Sequence, residues 1–346
     1  MNNKCLNCGA DVVFDTNTQM LTCKHCGSSF PLKNKISAKP ENLRRIYSPS
    51  LSLYTNQQIS KSYMCSNCGT KISVNPNESI TRCASCGNVS LKEISSQTMH
   101  PDGIIPFEIS RTQAEEIFKN WIKTRKFAPN DLIQMAKHGK LSGIYTPVYN
   151  FDYSENLTYR AMCMKITHDS DGNERRKHYP QHKEKVTEVN DHTISANSRI
   201  EEDFLAGLGS YDFSKLKPFS TSYLLGFAGI DTNIEVHTVF ADMSTAAREK
   251  NQSKINKKLN SEYDRVENLN CTTTLNNVSL NYAYIPVWAN HYKYNGKEYH
   301  CFINGQTGTA TGKAPKSFGK ILALVAGIIA GAAAGIALII SLISKM

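Results

Sequence analysis

Cys5-Leu6-Asn7-Cys8-Gly9 and Cys23-Lys24-His25-Cys26-Gly27 decide how the beginning of this chain folds. Both stretches read Cys-x-x-Cys-Gly, and fourteen residues separate the two cysteine pairs. Two residues between cysteines let both thiolates face one ion, and the glycine can adopt the positive φ that turns backbone N–H groups toward sulfur. The pattern predicts a zinc ribbon over residues 1–36.

The same pattern recurs 60 residues later, which predicts a second ribbon over residues 63–93 and two structural zinc ions in all. A single Cys-x-x-Cys can be a redox pair, but four pairs with matched spacing and matched glycines indicate metal binding. Sulfur would fill all four positions on each ion, so these zinc sites are expected to be structural rather than catalytic. The predicted ligands are Cys5, Cys8, Cys23, Cys26, Cys65, Cys68, Cys83 and Cys86.

Disulfide bonds are the alternative use of these cysteines. The N-terminus, Met1-Asn2-Asn3-Lys4, has no apolar stretch typical of a cleaved export signal. A chain that stays in a reducing compartment keeps its thiols free for metal. The sequence therefore favours zinc. The remaining cysteines are expected to be small buried residues: Cys163, Cys271 and Cys301.

Residues 321–343 form a run of 23 uncharged residues near the C-terminus. As a helix this run would be about 34 Å long, against a bilayer core of about 30 Å, so it predicts a transmembrane helix. A buried core helix is the alternative. The lysines that precede the run place that side in the cytoplasm. The expectation is a tail-anchored, single-pass protein of the cytoplasmic membrane, with residues 1–320 in the cytoplasm.

Small residues recur every fourth position within this run, at Gly327, Gly331 and Gly335. Such a stripe lets helices approach closely in lipid. It predicts a possible homo-oligomer formed through the span.

Residues 37–62 are rich in polar residues and are expected to be a flexible linker, and residues 101–315 form the main domain. Within that domain Tyr145, Pro147 and Val148 reappear 139 positions later. Each copy follows a predicted helix, the second at about 244–267, which predicts an antiparallel-sheet α+β domain with an internal helix-hairpin duplication. Ser110 and Gln113 predict a capping box, and Asn295-Gly296 predicts a two-residue hairpin turn. Residues 165–198 are expected to be a polar surface stretch. The expected fold class is thus α+β: two tandem N-terminal ribbons, this domain and one C-terminal transmembrane helix.

Enzyme motifs are missing from the sequence. The glycine-rich stretch from Gly305 to Lys313 has three residues between Gly308 and Gly312 where a phosphate loop needs four. His178 and His182 have the spacing of helical metal ligands, but Pro180 lies between them and no helix signal supports them. A surface hairpin with solvated histidines is the simpler interpretation. The chain is predicted not to be an enzyme.

The net charge of +10 raises the alternative of nucleic-acid binding. Residues 1–100 carry 11 Lys+Arg and 5 Asp+Glu, formally +6. Two zinc ions held by eight thiolates would lower this charge to about +2. That charge is low beside the dense basic faces of nucleic-acid-binding modules, so a nucleic-acid partner is possible but not favoured.

Five segments together resemble a prokaryotic family of tail-anchored zinc-ribbon proteins. They are 101–107 (PDGIIPF), 127–130 (FAPN), 143–149 (GIYTPVY), 284–288 (YIPVW) and 304–308 (NGQTG). The ribbons of that family are similar to the ribbon of transcription factor IIB, and its members are often labelled primosomal helicase-like. The resemblance implies zinc ribbons and a C-terminal span. It does not bring helicase activity to this chain, because the required phosphate-binding residues are absent.

These observations predict a membrane-tethered, non-catalytic adaptor that recruits protein partners through its ribbons to the cytoplasmic face of the membrane. Two alternatives stay open. One is a membrane-associated nucleic-acid-binding protein linked to replication or transcription. The other is an enzyme that uses the histidine-rich middle segment.

Overall fold

The computed structural model describes residues 4–32, 40–47, 61–67, 69, 71–74, 91–94, 101–132, 140–198, 200, 202–230 and 232–343. The chain forms two compact units. The first comprises Met1–Pro106, Tyr145–Leu205 and Tyr211–Ile285. The second comprises Phe107–Ile144, Ala206–Ser210 and Pro286–Met346.

Strands make up most of the regular structure. They are β1 (Val12–Asp15), β2 (Met20–Cys23), β3 (Ser29–Phe30), β4 (Arg45–Ile46), β5 (Lys61–Cys65), β6 (Lys71–Val74), β7 (Leu91–Ile94), β8 (Gly103–Ile104), β9 (Lys140–His168), β10 (Glu174–Ser195), β11 (Lys217–Pro218), β12 (Ala228–Gly229), β13 (Arg265–Tyr294), β14 (Lys297–Asn304) and β15 (Ala310–Gly312). The α-helices are α1 (Arg111–Lys123), α2 (Glu202–Gly207), α3 (Val236–Glu262) and α4 (Phe318–Ile343). Short 3-10 turns cover Pro40–Leu43, Phe213–Lys215 and Thr221–Leu224.

Three sheets organise these strands. Each ribbon has a three-stranded antiparallel sheet, in the orders β1-β2-β3 and β6-β5-β7. The third sheet has nine strands, with β10-β9-β13-β14-β15 as its main path. Most of its pairings are antiparallel, while β8 pairs with β13 in parallel.

The predicted α+β fold class is wrong, because antiparallel sheet dominates and helices are few in the described part of the chain. The main reason lies at residues 165–198, expected to be a polar surface stretch. Most of this stretch is the edge strand β10, which pairs with β9 from Val148↔Ser195 to His168↔Glu174. The surface hairpin expected there is present, but an edge strand with solvent around it carries little apolar alternation, so the sequence did not show how long the strand is.

The two copies of the Tyr-x-Pro-Val motif lie in long strands. Tyr145 begins the part of β9 that belongs to the first unit, and Tyr284 lies in β13, the neighbouring strand. Each of these strands pairs with the strand that follows it in the sequence. The helix before the second copy is α3, which begins earlier and ends earlier than the expected helix at 244–267.

The first unit packs two apolar clusters against α3. One is aromatic-rich and takes Val236, Val239 and Met243 from the first half of the helix. The other takes Ile255 and Leu259 from its second half and packs them on β9. The aromatic cluster further comprises Tyr47, Tyr149, Phe151, Tyr153, Ala196, Val278, Leu280 and Tyr282.

Local signals in the second unit fold as the sequence predicts. Ser110 and Gln113 form the expected capping box at the start of α1. Asn295 and Gly296 both have positive φ, 48° and 77°, and join β13 to β14 in the expected two-residue hairpin turn. Phe118 of α1 packs on the strands beneath it.

The membrane predictions are corrected. Within the part of the chain that the structure describes, no helix combines the length and the apolar character needed to cross a membrane. A span needs about 20 consecutive apolar residues. The described side chains of α4 run without a charge or a gap over 321–332, about 18 Å of helix. The side chains at 333–334 and 337–343 lie outside the described residues.

Four expectations that depended on the transmembrane span are therefore wrong. They are the transmembrane helix at 321–343, tail anchoring, location in the cytoplasmic membrane with the membrane as a partner, and a homo-oligomer through the glycine stripe. Among the residues that the structure describes, no atom lies within 4 Å of a Cβ atom added at Gly327, Gly331 or Gly335. These glycines therefore make no close helix contact with the described residues.

Candidate metal centre

Residues 5–9 and 23–27, which we call the two knuckles of the first ribbon, are built by the same local turn. Gly9 and Gly27 both have φ of 73°, and each donates its N–H to the first cysteine of its pair at 2.9 Å. The N–H groups of Cys5 and Cys23 are bonded in turn to the carbonyls of Ala10 and Ser28, at 2.7 and 2.9 Å. A side chain at either glycine would be strained, so the glycine after each pair is required by the turn.

These turns bring four thiols together. The Sγ atoms of Cys5, Cys8, Cys23 and Cys26 all lie within 4.8 Å of one another. The distance from Cys5 Sγ to Cys26 Sγ is 3.5 Å, and that from Cys8 Sγ to Cys23 Sγ is 3.6 Å. A tetrahedral ion with Zn–S bonds of about 2.3 Å would separate the sulfurs by about 3.8 Å.

The thiols therefore fit a metal ion better than disulfide bonds. A disulfide needs sulfurs about 2.05 Å apart, and all four cysteines are free. We call these four residues the cysteine cage. Cys5 and Cys23 are buried while Cys8 and Cys26 are exposed, so the cysteine cage lies at the edge of the ribbon. The structure thus establishes a four-cysteine cluster that could hold a metal ion. The identity of the metal is part of the function proposed below.

Hydrogen bonds already favour loss of a proton from one thiol. The Ser28 hydroxyl and backbone N–H lower the pKa of Cys26 to about 6. The Ala10 amide lowers the pKa of Cys8, but the neighbouring thiols and burial outweigh it and raise that pKa to about 12. Metal binding would displace the protons of all four thiols, since thiolate is the binding form.

The second set of cysteines lies mostly outside the described residues. Cys65 is buried, and Gly69 repeats the first knuckle's geometry with φ of 70° and an N–H donated to Cys65 at 2.9 Å. The other three predicted ligands, Cys68, Cys83 and Cys86, are not among the residues that the structure describes. Their coordination stays a prediction.

The first ribbon packs on residues 223–227, which lie between β11 and β12 of the large sheet; this contact was not predicted. Leu225 is 5% exposed and forms one apolar cluster with Cys5, Val12 and Cys23. Its carbonyl accepts the N–H of Phe14 at 3.0 Å. One side of the ribbon is therefore occupied by its own chain, and Leu225 packs on Cys5 and Cys23 of the four-cysteine cluster.

Aromatic contacts extend this interface. The Phe14 ring lies 5.2 Å from the Tyr223 ring and 6.5 Å from the Phe227 ring. The Phe227 ring in turn lies 5.8 Å from that of Tyr145, which is fully buried in β9. The signal in the sequence is the unbroken run Val12-Val13-Phe14, because a strand that is apolar on both faces needs cover on both.

Residues 40–47, which we call the strap, lie inside the segment predicted to be a linker. Strand β4 of the strap pairs with β13. Tyr47 is buried in the aromatic cluster, with its ring 4.8 Å from the Phe240 ring. Three ion pairs fasten the strap: Arg44 to Asp152, Arg44 to Asp191, and Arg45 to Asp102. A segment rich in polar residues can pack in this way because its few apolar and basic side chains find partners that are distant in sequence.

The structure explains why the glycine-rich turn is not a phosphate loop. Asn304 is fully buried, and its side-chain oxygen accepts the N–H groups of Gln306 and Thr307 at 2.9 and 3.0 Å. The N–H of Gly308 is bonded to the Asn304 carbonyl, and that of Gly305 to Pro286. These amides are used within the fold, so none of them points at a ligand.

The histidines of the middle segment do not form a site together. His178 and His182 are exposed on β10. In an extended strand, residues four apart are separated by about 13 Å. That distance prevents both imidazoles from binding one ion, so this pair gives the enzyme alternative no support.

Comparisons with known proteins leave the function open. No family model matches the chain, and no solved structure matches it. The chain is similar to YdjG, an uncharacterized protein of Bacillus subtilis (strain 168), with 27% identity over 326 residues. The alignment covers 92% of each chain, so the similarity extends well beyond the ribbons.

Proposed function

We propose that the chain is a non-catalytic, zinc-structured adaptor that binds protein partners. The observation that carries this proposal is the set of four thiols within 4.8 Å of one another. A zinc ion bound there would contribute folding energy and no open coordination position. Cys65 and the turn at Gly69 support a second site of the same kind, completed by Cys68, Cys83 and Cys86. The resemblance of five segments of this chain to a family of zinc-ribbon proteins also supports the proposal.

The packing of the first ribbon limits where a partner could bind. Val12, Phe14 and the buried cysteines face Leu225 and the segment around it. The tips of the knuckles are exposed and carry Leu6, which is 72% exposed. Burial of this apolar side chain against a partner would be favourable. We therefore propose that the knuckle tips are the surface offered to partners.

Metal analysis tests the zinc part of the proposal. Full-length protein is expected to contain two equivalents of zinc. Cys8→Ser combined with Cys26→Ser should remove one equivalent and leave the other. Zinc content well below two equivalents in the unaltered protein would refute the two-site proposal.

A point variant tests the adaptor part better than truncation does, because removal of the ribbons would also expose Leu225 and the aromatic side chains beneath it. Leu6→Ser should retain zinc but lose proteins that co-purify with the tagged full-length chain. Val186→Ser is the matched control, since Val186 is also apolar and 61% exposed, on strand β10. If both variants keep the same co-purifying proteins, the knuckle tips are not the binding surface.

A further inference from the structure

Two histidines face each other across the β13–β14 hairpin, away from the cysteine cage. His291 lies directly opposite His300. Their Nδ1 atoms are 2.6 Å apart and their ring centroids 4.7 Å apart. One Nδ1 donates its N–H and the other accepts it, so a single proton is held between the two nitrogens.

The surroundings hold these rings in place and keep them accessible. The Phe302 ring is stacked with His300 at 6.1 Å and meets His291 edge-on at 6.2 Å. Both histidines are exposed at the surface of the sheet. Burial of part of its ring, together with the neighbouring His300, lowers the pKa of His291, although Glu298 opposes this. An imidazole with a lowered pKa is neutral near pH 7, the form that binds metal.

A carboxylate lies next to the pair. Glu298 precedes His300 by two residues and therefore lies on the same face of β14. It is a diagonal neighbour of His291, a position within reach of a long side chain. Its carboxylate is paired with Lys293 Nζ at 3.2 Å, in a contact that is exposed on both sides. Exposed pairs of this kind contribute little stability, so the carboxylate can turn toward the histidines at small cost.

We propose that His291 and His300, with Glu298 as the third ligand, form a surface site for a divalent transition-metal ion such as Zn²⁺, Ni²⁺ or Cu²⁺. Imidazole and carboxylate are ligands that these ions accept. A tetrahedral ion with Zn–N bonds of about 2.05 Å needs nitrogens about 3.3 Å apart. Small rotations of the two rings would provide that separation and replace the shared proton with the ion. This inference does not depend on the proposed adaptor function.

Nickel titration of the zinc-loaded, full-length protein tests the proposal. Isothermal titration calorimetry should show one equivalent of Ni²⁺ bound to the unaltered protein. His300→Gln and His291→Gln should each weaken that binding by at least about 10-fold, because each removes a direct ligand and even loss of an outer-shell partner costs that much. Thiolate-to-nickel absorption bands, recorded in parallel, would reveal any exchange of nickel into the cysteine cages.

Two further variants test the third ligand. Glu298→Gln should weaken nickel binding, while Lys293→Gln should strengthen it by freeing the carboxylate. His178→Gln combined with His182→Gln is the matched control and should leave nickel binding unchanged, because those histidines are too far apart to act together.

The proposal is overturned by either of two results. One is the absence of nickel binding to the zinc-loaded protein at millimolar Ni²⁺. The other is equal affinity in the unaltered protein and in both single-histidine variants. Far-UV circular dichroism of each variant shows whether the hairpin still folds, and either histidine variant alone decides the question if the other does not fold.

Discussion

Truncation of Leu225 should loosen the first ribbon from the large sheet. Leu225→Ala removes apolar atoms that pack on Cys5, Val12 and Cys23. Loss of the transfer free energy and the cavity that remains together cost about 3 kcal/mol. The N–H of Phe14 bonds to the carbonyl of Leu225 and should therefore open more often. A cost of about 3 kcal/mol corresponds to exchange roughly 150-fold faster.

Hydrogen exchange followed by mass spectrometry measures this effect on peptides that contain Phe14 and the segment 222–228. The experiment is done with zinc-loaded protein and again after chelation of the metal. Leu225 packs on two of the four cysteines, so its contact depends on the folded knuckles. We expect the acceleration caused by Leu225→Ala to be large with zinc and nearly absent without it.

Leu216→Ala is the control for a metal-independent core contact. Leu216 is 1% exposed and lies against Gly103 of β8. Its truncation should destabilise the sheet equally with and without zinc. If Leu225→Ala accelerates exchange equally in both states, the metal does not support the contact between ribbon and sheet, and the reasoning is refuted.

Three further predictions concern the sheet. Burial raises the pKa of Asp102 to about 6, although the charge of Arg45 lowers it. The stability that Asp102 contributes is therefore present below about pH 4 and is lost as the pH rises through 6. In urea unfolding, the unaltered protein should lose up to about 3 kcal/mol over this range relative to Asp102→Asn. Gly312→Ala places a Cβ 2.4 Å from the His300 carbonyl at φ of 148° and should lower the melting temperature, whereas Gly229→Ala, with open space around it, should not. Asn304→Ala leaves its bonded backbone groups unpaired and should cost about 4 kcal/mol in urea unfolding.

Each of these three has an outcome that would contradict it. A rise in the stability of the unaltered protein relative to Asp102→Asn between pH 4 and 7 would mean that the Arg45 charge outweighs burial. Equal melting temperatures for the two glycine variants would remove the steric argument at Gly312. A cost below about 1 kcal/mol for Asn304→Ala would mean that the four backbone groups bonded by Asn304 find other partners.

The cysteine cage of the first ribbon could be predicted from the sequence because its geometry is local. The position of each thiol depends on a turn of five residues, and the φ of Gly9 and Gly27 follows from that turn. The capping box of α1 and the turn at Asn295-Gly296 were predictable for the same reason. The histidine pair also carried a local signal, since a two-residue turn at 295–296 places position 291 opposite position 300.

Long-range packing was not predictable in this way. The strap contains ordinary polar and basic residues, and only its pairing with β13 and its ion pairs distinguish it from a linker. The surface hairpin predicted around His178 and His182 is formed by β9 and β10, but its length was hidden because an edge strand need not alternate. The run at 321–343 was predicted to cross a membrane from hydropathy alone, and the described part of the chain provides no helix that qualifies.

The sequence by itself determined the elements whose geometry closes within a few residues: the thiol cage, the helix cap and the hairpin turn. Only the tertiary structure decided that the first ribbon packs on Leu225, that residues 40–47 fasten to the sheet and that β9, β10 and β13 dominate the fold. The physical reason is the range of the forces involved. A coordination turn is fixed by the φ angles of adjacent residues, whereas apolar burial and strand pairing select partners that are hundreds of residues apart.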